Sequence, residues 1–592
     1  MTASAPPHLP LLAAFVDELA RSGMQHAVLC PGSRNAPVLL ALDADPRITC
    51  WSAVDERSAA FLALGIAKAT GRPAAVCVTS GTAISNLLPA ATEAHEAGTP
   101  LLLLSADRPP ELRDVGAGQT IDQLRALDAV TRWVVETDLS DATEARERWV
   151  RATACRAVAA TLGPGRPGPV QVNLPLREPL TAPGPHAPLT TGRPGGRPWL
   201  TVTPAAGASS PAIASLAHRL LAAPHGVIVA GRAERTPELA RFLPRLAAIL
   251  GWPLLADPMS GARRGANAIA AYDLIIGADG VPSADPAGRR DGGRGSHPLD
   301  TVPSVVLRIG DLPVSKPLRA WLAGPAAEAE QIMLTPEAIW ADEHGAASTW
   351  VTGDPLELVR ALHAAVAGAA EHRSDDTDGT LLAAWQAADA AVTSGARARP
   401  TTEPGVDDAL TEPLVARILA TTLEPQDTLV VGASLPIRML ERWAPAVELP
   451  PRVLSNRGAN GIDGVTSTAF GVLAARQTAE DAAPRVVAYL GDLTLLYDQG
   501  GLAHAASGLP LQVVVVNNDG GRIFERLAVA RHAPADVLEP RILTPQRRDL
   551  SHLAAFYGLE LVRPSTVGEL QAVLALAPDR ARLIEVRVPP AA

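Results

Sequence analysis

The sequence predicts an α/β protein of three doubly wound parallel-sheet domains, and three observations carry that prediction. Short apolar, β-branched runs recur along the chain and stop at Gly, Asp, Asn or Ser, as buried parallel strands do at their carboxyl ends. Alanine- and leucine-rich stretches of helical length separate them. At 592 residues the chain is too long for one core, and two segments of linker character divide it. The boundaries read as a first α/β domain over 1–185, a linker over 186–204, a central α/β domain over 205–365, a helical linker over 366–405 and a last α/β domain over 406–592.

Bulk composition narrows the function. Hydrophobic residues at 47% with charged residues at 19% describe an ordinary soluble protein. A net charge of -10 without a long basic run argues against nucleic acid as a partner. No run of apolar residues is long enough for a membrane-spanning helix. Residues 9–21 carry Asp17 and Glu18 inside an apolar pattern, which makes them an amphipathic helix rather than a signal peptide. Cys30, Cys50, Cys77 and Cys155 lack metal-ligand spacing and mostly follow apolar residues, as buried thiols do. A cytoplasmic location is expected.

In the first domain, the strand at residues 27–30 runs into Pro31, Gly32, Ser33, Arg34 and Asn35, a strand-to-helix turn that suits an anion, with a plain turn and an exposed arginine as the rival reading. Glu56 stands where a strand ends and an apolar helix begins. A carboxyl group among apolar neighbours there can share a proton with a heterocyclic nitrogen. The rival reading is a helix-start acid that complements the dipole. The strand at 74–78 opens into Thr79, Ser80, Gly81 and Thr82, whose small side chains allow a ligand close to the backbone. A strand at 101–105 leads to Arg108, then to a loop with Gly116, Gly118 and Gln119. The strand at 170–175 closes the unit.

The last domain carries the most specific stretch. One apolar run ends at Gly491, Asp492 and Leu493, another at Asn517, Asn518, Asp519 and Gly520, and residues 493–509 between them have helical spacing. A right-handed crossover sets both loops side by side at one sheet edge. An aspartate, an amide oxygen and a glycine carbonyl there can hold a hard cation with phosphate oxygens, a site for magnesium and a diphosphate. Two strand ends with turn-forming residues are the rival reading. Ser434 and Arg438 lie four apart at another strand-to-helix turn and can face one ligand. Arg457 follows the next strand.

These motifs together resemble the thiamine diphosphate enzymes of the decarboxylase and acetolactate synthase superfamily. Residues 30–35 (CPGSRN), 105–112 (SADRPPEL) and 455–464 (SNRGANGIDG) resemble its menaquinone-pathway synthase family. The resemblance is dense in the first and last thirds and loose in the middle. It implies three domains, pyrimidine-binding, central and diphosphate-binding. It also implies thiamine diphosphate and Mg2+ (or Mn2+) as cofactors, with Glu56 as the proton relay and Asp492, Asn518 and the Gly520 carbonyl as metal ligands. Ile462 matches the aliphatic wedge, and Thr79, Gly81, Ser434, Gly461, Gly491, Leu493 and Ile523 match other cofactor contacts. Leu493, in place of a second glycine, fits the synthase branch. Ser33, Arg34, Arg108, Gln119 and Lys316 are implied at isochorismate, and Ser434, Arg438, Arg457 and Phe524 around 2-oxoglutarate. Core packing explains Ile523 and Phe524 equally well.

The implied reaction is decarboxylation of 2-oxoglutarate and 1,4-addition of the succinyl carbanion equivalent to isochorismate. The family places each site between two subunits, so a homodimer or homotetramer is expected. The alternatives are another thiamine diphosphate carboligase or 2-oxoacid decarboxylase, and a ligand-binding α/β protein without catalysis.

The middle third reads as mainly structural. No Gly-x-Gly-x-x-Gly supports a dinucleotide site. Residues 288–297 read as a mobile surface loop and 371–379 as a linker. The family's Lys-Arg pair is here Lys316 followed by Pro317, so half of it is missing; an exposed lysine at a helix start is the rival reading.

Overall fold

The structure, a computed structural model, describes residues 6–163, 166–202, 210–279, 298–336, 339–370, 379–397, 409–476 and 485–588. The expected loop at 288–297 and all but the last residue of the 371–379 segment lie outside these residues, as do parts of both predicted linkers.

Among the described residues, seventeen strands form three parallel sheets. The first contains β1 (His26–Leu29), β2 (Thr49–Ser52), β3 (Ala74–Val78), β4 (Leu101–Asp107), β5 (Trp133–Glu136) and β6 (Pro169–Pro175) in the order β2-β1-β3-β4-β6-β5. The second has β7 (Gly226–Ala230), β8 (Leu254–Ala256), β9 (Val305–Ile309), β10 (Glu330–Thr335) and β11 (Thr349–Thr352), ordered β11-β10-β9-β7-β8. The third has β12 (Thr428–Val431), β13 (Arg452–Ser455), β14 (Val486–Gly491), β15 (Gln512–Asn517), β16 (Glu560–Val562) and β17 (Arg582–Arg587) in the order β13-β12-β14-β15-β17-β16. The first and third sheets therefore share one topology, and both place loops at a point where the strand order reverses, which is where open α/β sheets bind ligands.

The helix after the second strand of each of these two sheets joins them. Helix Glu56–Thr70 follows β2; Asp55 caps it by accepting from the N–H groups of Arg57 and Ser58, and Gly71 ends it in the left-handed conformation. It is buried on nearly every face because helix Val465–Ala474, after β13, packs across it. Gly65 and Gly471 sit at the crossing: a Cβ on either would lie about 2 Å from a carbonyl oxygen of the other helix, Thr468 or Leu62. Side chains of both domains thus share one core, with Phe61, Leu62 and Ile66 packed with Leu454, Phe470 and Val472.

The central sheet has its own core and is tied on by buried polar contacts. Lys68 donates to the carbonyl of Ser455 at 2.8 Å and pairs with Glu234 at 3.1 Å, which links all three domains. Arg263 donates to the carbonyl of Glu441 at 2.8 Å and pairs with its carboxylate at 3.2 Å.

One local expectation needs correction. The single helix expected over residues 493–509 is an α-helix only from Asp492 to Tyr497, followed by a 3-10 segment, Gln499–Ser507. Asp498 turns inward at the break and accepts from the N–H of Ser467 at 3.0 Å, and Gly501 follows against Ser467. The apolar run from Tyr272 is a helix, Tyr272–Asp279, and Tyr272 is fully buried against the central sheet. Among the described residues no helix is long and apolar enough to cross a membrane.

Candidate active site

Asp492 begins a helix directly after β14, and Asn518 follows the last residue of β15; β14 and β15 are hydrogen-bonded neighbours. The pleat then sorts the two asparagines. The Asn517 amide donates to Glu585 on β17 at 2.8 Å, whereas the Asn518 amide donates to Glu412 at 2.6 Å. With its nitrogen held by Glu412, Asn518 has its side-chain oxygen left for another partner. Gly520, at φ 118°, donates its N–H to Asp492 Oδ2 at 2.8 Å, and its carbonyl accepts from Arg522 at 2.9 Å. A Cβ there would lie 2.4 Å from the carbonyl oxygen of Leu543, so close backbone packing as well as φ requires glycine.

Asp492, Asn518 and Gly520 line one cavity with Ser434, Ile462, Gly491, Leu493, Ile523 and Phe524. Leu435, Pro436 and Met439 add apolar wall. On its other side the same Asp492 and Asn518 line a second cavity with Asp519, Arg547, Arg548 and Arg587. The donor pair therefore stands between an apolar space and one edged with guanidinium groups, which suits a ligand apolar at one end and anionic at the other. Burial, and then the Asp519 charge, push the Asp492 carboxyl up to about 6. A cation would relieve that cost. The residues present fit a divalent metal and a diphosphate.

Among the described residues no cluster of three or more His, Cys, Asp or Glu side chains is arranged to hold a metal. A set of one carboxylate, one amide oxygen and one carbonyl has no need of such a cluster if the ligand brings phosphate oxygens.

A second constellation sits at the carboxyl edge of the first sheet. Arg108 donates to Ser80 Oγ at 2.5 Å, and Gln119, held at φ 59°, donates to the Ser80 carbonyl at 2.8 Å. Thr79 and Gly81 flank Ser80, and the Gly81 N–H donates to Gln123. Arg34 donates to the Leu176 carbonyl at 2.7 Å and pairs with Glu178 at 3.2 Å. Desolvation and then the Arg108 charge lower its pKa. Ser33 is exposed beside them.

Glu56 is on the same edge, where it accepts from Asn86 at 3.2 Å. Sequence reasoning sets its carboxyl among apolar neighbours; in one chain it is half-exposed, because its side of the edge is open. Val54 next to it is 85% exposed. No residue of the first sheet lines the cavity that holds Asp492. Gly461 faces a different space, with Phe61, Glu93 and Asp463.

Arg438 and Arg457 lie where the last domain meets the central one. Arg438 donates to the Ser434 carbonyl at 2.7 Å, so the four-residue spacing brings the pair into direct contact. Arg457 is lowered to about 10 by desolvation, then by the Arg438 charge, with Arg232 and Arg319 adding to it against Asp257. Lys316 is exposed at the start of helix Lys316–Ala323 and forms no hydrogen bond or ion pair among the described residues. Arg319, one turn on, is the central-domain cation whose charge reaches both Arg438 and Arg457.

Sequence reasoning missed Glu412, Glu93 and Arg319. Glu412 looks like an ordinary first-turn acid. Glu93, which accepts from the N–H groups of Gly458 and Ala459 and so holds the loop that carries Ile462, sits in a plain alanine-rich helix. None has a local signal, because each acts across a domain boundary or onto a loop more than a hundred residues away.

Two equivalent parallel-sheet domains, with an acid–amide loop on one and a strand-end glutamate on the other, are the arrangement that the resemblance to thiamine diphosphate-dependent enzymes implies. Residues 11–126 match the family model for the N-terminal TPP-binding domain of thiamine pyrophosphate enzymes. Proteins named 2-succinyl-5-enolpyruvyl-6-hydroxy-3-cyclohexene-1-carboxylate synthase align along almost the whole chain. The one from Halobacterium salinarum is 37% identical over 97% of this chain and 94% of its own length. Those from Sorangium cellulosum and Myxococcus xanthus are 37% and 36% identical, again over 97% of this chain, with 92% and 93% of their own lengths covered. The chain belongs to the 2-succinyl-5-enolpyruvyl-6-hydroxy-3-cyclohexene-1-carboxylate synthase family.

Proposed function

We propose that this protein decarboxylates 2-oxoglutarate and adds the remaining four-carbon unit to isochorismate, using thiamine diphosphate and Mg2+ or Mn2+, in menaquinone biosynthesis in the cytoplasm. The convergence of Asp492, Asn518 and Gly520 on one cavity wall carries this reading. When bound, thiamine diphosphate supplies the electron sink for loss of carbon dioxide from the 2-oxo acid. The protein's part is to bind, orient and move protons.

Asp492 Oδ, Asn518 Oδ1 and the Gly520 carbonyl hold the cation. Ile462, Leu493 and Ile523 give the cofactor an apolar seat, with Thr79, Gly81, Ser434, Gly461 and Gly491 at its margins. Glu56 shares a proton with the pyrimidine ring. Ser434, Arg438, Arg457 and Phe524 receive 2-oxoglutarate, and arginine suits that task because its fork matches a carboxylate. Ser33, Arg34, Arg108 and Gln119 receive isochorismate, together with Lys316.

The complete site needs two copies of the chain, Glu56 from one and Asp492 from the other. Two features support this: the half-exposed Glu56 with bare Val54 beside it, and the cavity at Asp492, which has no first-domain wall. A homodimer is the minimum unit, and a homotetramer would contain the same sites. The first domain is then pyrimidine-binding and the last diphosphate-binding.

The test is consumption of 2-oxoglutarate by the purified protein with thiamine diphosphate and Mg2+, with and without isochorismate. Rapid consumption only when isochorismate is present, with carbon dioxide and product formed in equal amounts, supports the proposal. Equal turnover without isochorismate makes it a simple 2-oxoacid decarboxylase instead.

A further inference from the structure

We infer that Arg319, which the central domain supplies, is a third guanidinium for the distal carboxylate of the 2-oxo diacid and sets selectivity for a diacid over a monoacid. This deepens the proposed function and rests on 2-oxoglutarate being the substrate.

The geometry begins with a bridge between domains. Ser315 caps helix Lys316–Ala323 and donates its hydroxyl to Asp273 at 2.7 Å. The other oxygen of Asp273 accepts from Arg442 at 2.7 Å, and Arg442 lies on helix Leu435–Trp443. Val314, just before the cap, packs in the core of the last domain with Leu435 and Met439. The start of one helix is therefore pinned to the other helix.

One turn from that bridge along each helix stand Arg319 (four after Ser315) and Arg438 (four before Arg442). Residues four apart share a helix face, so Arg319 and Arg438 each stand on the face of its helix that carries the bridge. The charge effects on Arg438 and Arg457 agree with that placement.

The cluster is short of anions. Among the described residues Arg438 and Arg457 form no ion pair. Arg319 pairs with Glu343 at 3.2 Å through one terminal nitrogen, while its Nε is buried without a partner among the described residues. Other nearby charges are already committed: Arg232 pairs with Asp311 at 2.6 Å, and Asp257 accepts from the N–H groups of Met259 and Val314. Guanidiniums with spare donors on two helices joined by one bridge call for a ligand of at least one negative charge beyond the carboxylate that is lost. Pro317 stands where the family's arginine would be, and Arg319 supplies a guanidinium from the same helix, on the face that Ser315 begins.

The experiment uses the holoenzyme with isochorismate, comparing 2-oxoglutarate with 2-oxobutyrate, which lacks the distal carboxylate. For Arg319→Met, kcat/KM for 2-oxoglutarate is expected to fall about 10- to 100-fold, the range for losing a charged hydrogen bond. The value for 2-oxobutyrate and the KM for isochorismate should stay within about twofold, and Arg319→Lys should recover part of the loss. Glu343→Gln, which frees the guanidinium, should leave 2-oxoglutarate turnover equal or higher. An unchanged kcat/KM in Arg319→Met makes Arg319 only a partner of Glu343 and overturns the inference, as does an equal loss for both 2-oxo acids. If the wild-type holoenzyme turns over no 2-oxoglutarate, the substrate assignment itself falls, and this role with it.

Discussion

Replacing Arg457 by methionine should stabilise the ligand-free protein while it weakens 2-oxoglutarate binding. The Arg457 side chain is partly desolvated and feels the charges of Arg438, Arg232 and Arg319, and its pKa is pushed down to about 10. A shift of that size corresponds to about 3 kcal/mol favouring the neutral form. The sign follows directly. Arginine is charged at neutral pH, so the folded state bears the whole cost at any pH below about 10, and the cost fades as pH rises above that.

Because Arg457 is half-buried, solvent screening reduces the usable gain to about 1–2 kcal/mol. Methionine keeps most of the stem's volume. Asp257 is not stranded, since it keeps two backbone N–H donors and the Arg263 charge. For a domain of this size each kcal/mol moves the melting midpoint by about 2–4 °C. The assay is thermal unfolding of wild type and Arg457→Met, each with and without 2-oxoglutarate. The variant should melt about 2–8 °C higher without ligand and show little of the wild type's ligand-induced shift. Its 2-oxoglutarate KM should rise at least about thirtyfold, as when one partner of a desolvated charge pair is removed. A lower melting midpoint without ligand would refute the reasoning, because it would mean that Arg457 is satisfied by the protein alone.

Three further outcomes are expected. Glu56→Gln should fold and assemble normally yet lose at least about 100-fold of its rate of carbon dioxide release, the usual scale for removing a general acid–base group; near-normal release with Mg2+ and thiamine diphosphate present would sink the proton-relay role. Glu412→Ala removes the acceptor that orients the Asn518 amide, so Mn2+ affinity measured by electron paramagnetic resonance should weaken about 10- to 100-fold, as for other groups that hold a metal ligand in place. Wild-type affinity would show that the orientation is set elsewhere. His504 is buried against Phe470, and desolvation lowers its pKa from 6.5 to about 4. A depressed histidine contributes stability that is present above pH 6.5 and lost as pH falls toward 4, so the wild type should lose about 3 kcal/mol more than His504→Leu between pH 7 and 4 in denaturant melts. Parallel curves would place the acid sensitivity in another group.

Much of the fold and half of the candidate site were legible in the chain. Strands betrayed themselves as apolar runs, and their carboxyl ends as the Gly, Asp and Asn that stop them. Asp492 and Asn518 follow from that pattern and the rule that parallel crossovers are right-handed. The break at Asp498 was not legible, because helical spacing continues through residues 493–509, whereas the turn is imposed by Ser467 on another helix.

What the sequence determined by itself is therefore the local grammar: which residues form elements, and which chemical groups stand at strand ends, since neighbours a few positions away set both. Which groups meet was decided only by tertiary structure. Lys316 stands in the family's position but is exposed, while Asp273 pins the helix that carries Arg319 to the helix that carries Arg438. Likewise, Asn518 presents its oxygen because Glu412 takes its nitrogen. The physical reason is the same in each case: a charge or an amide is directed by partners within a few ångströms in space, and here those partners lie up to 169 residues away along the chain.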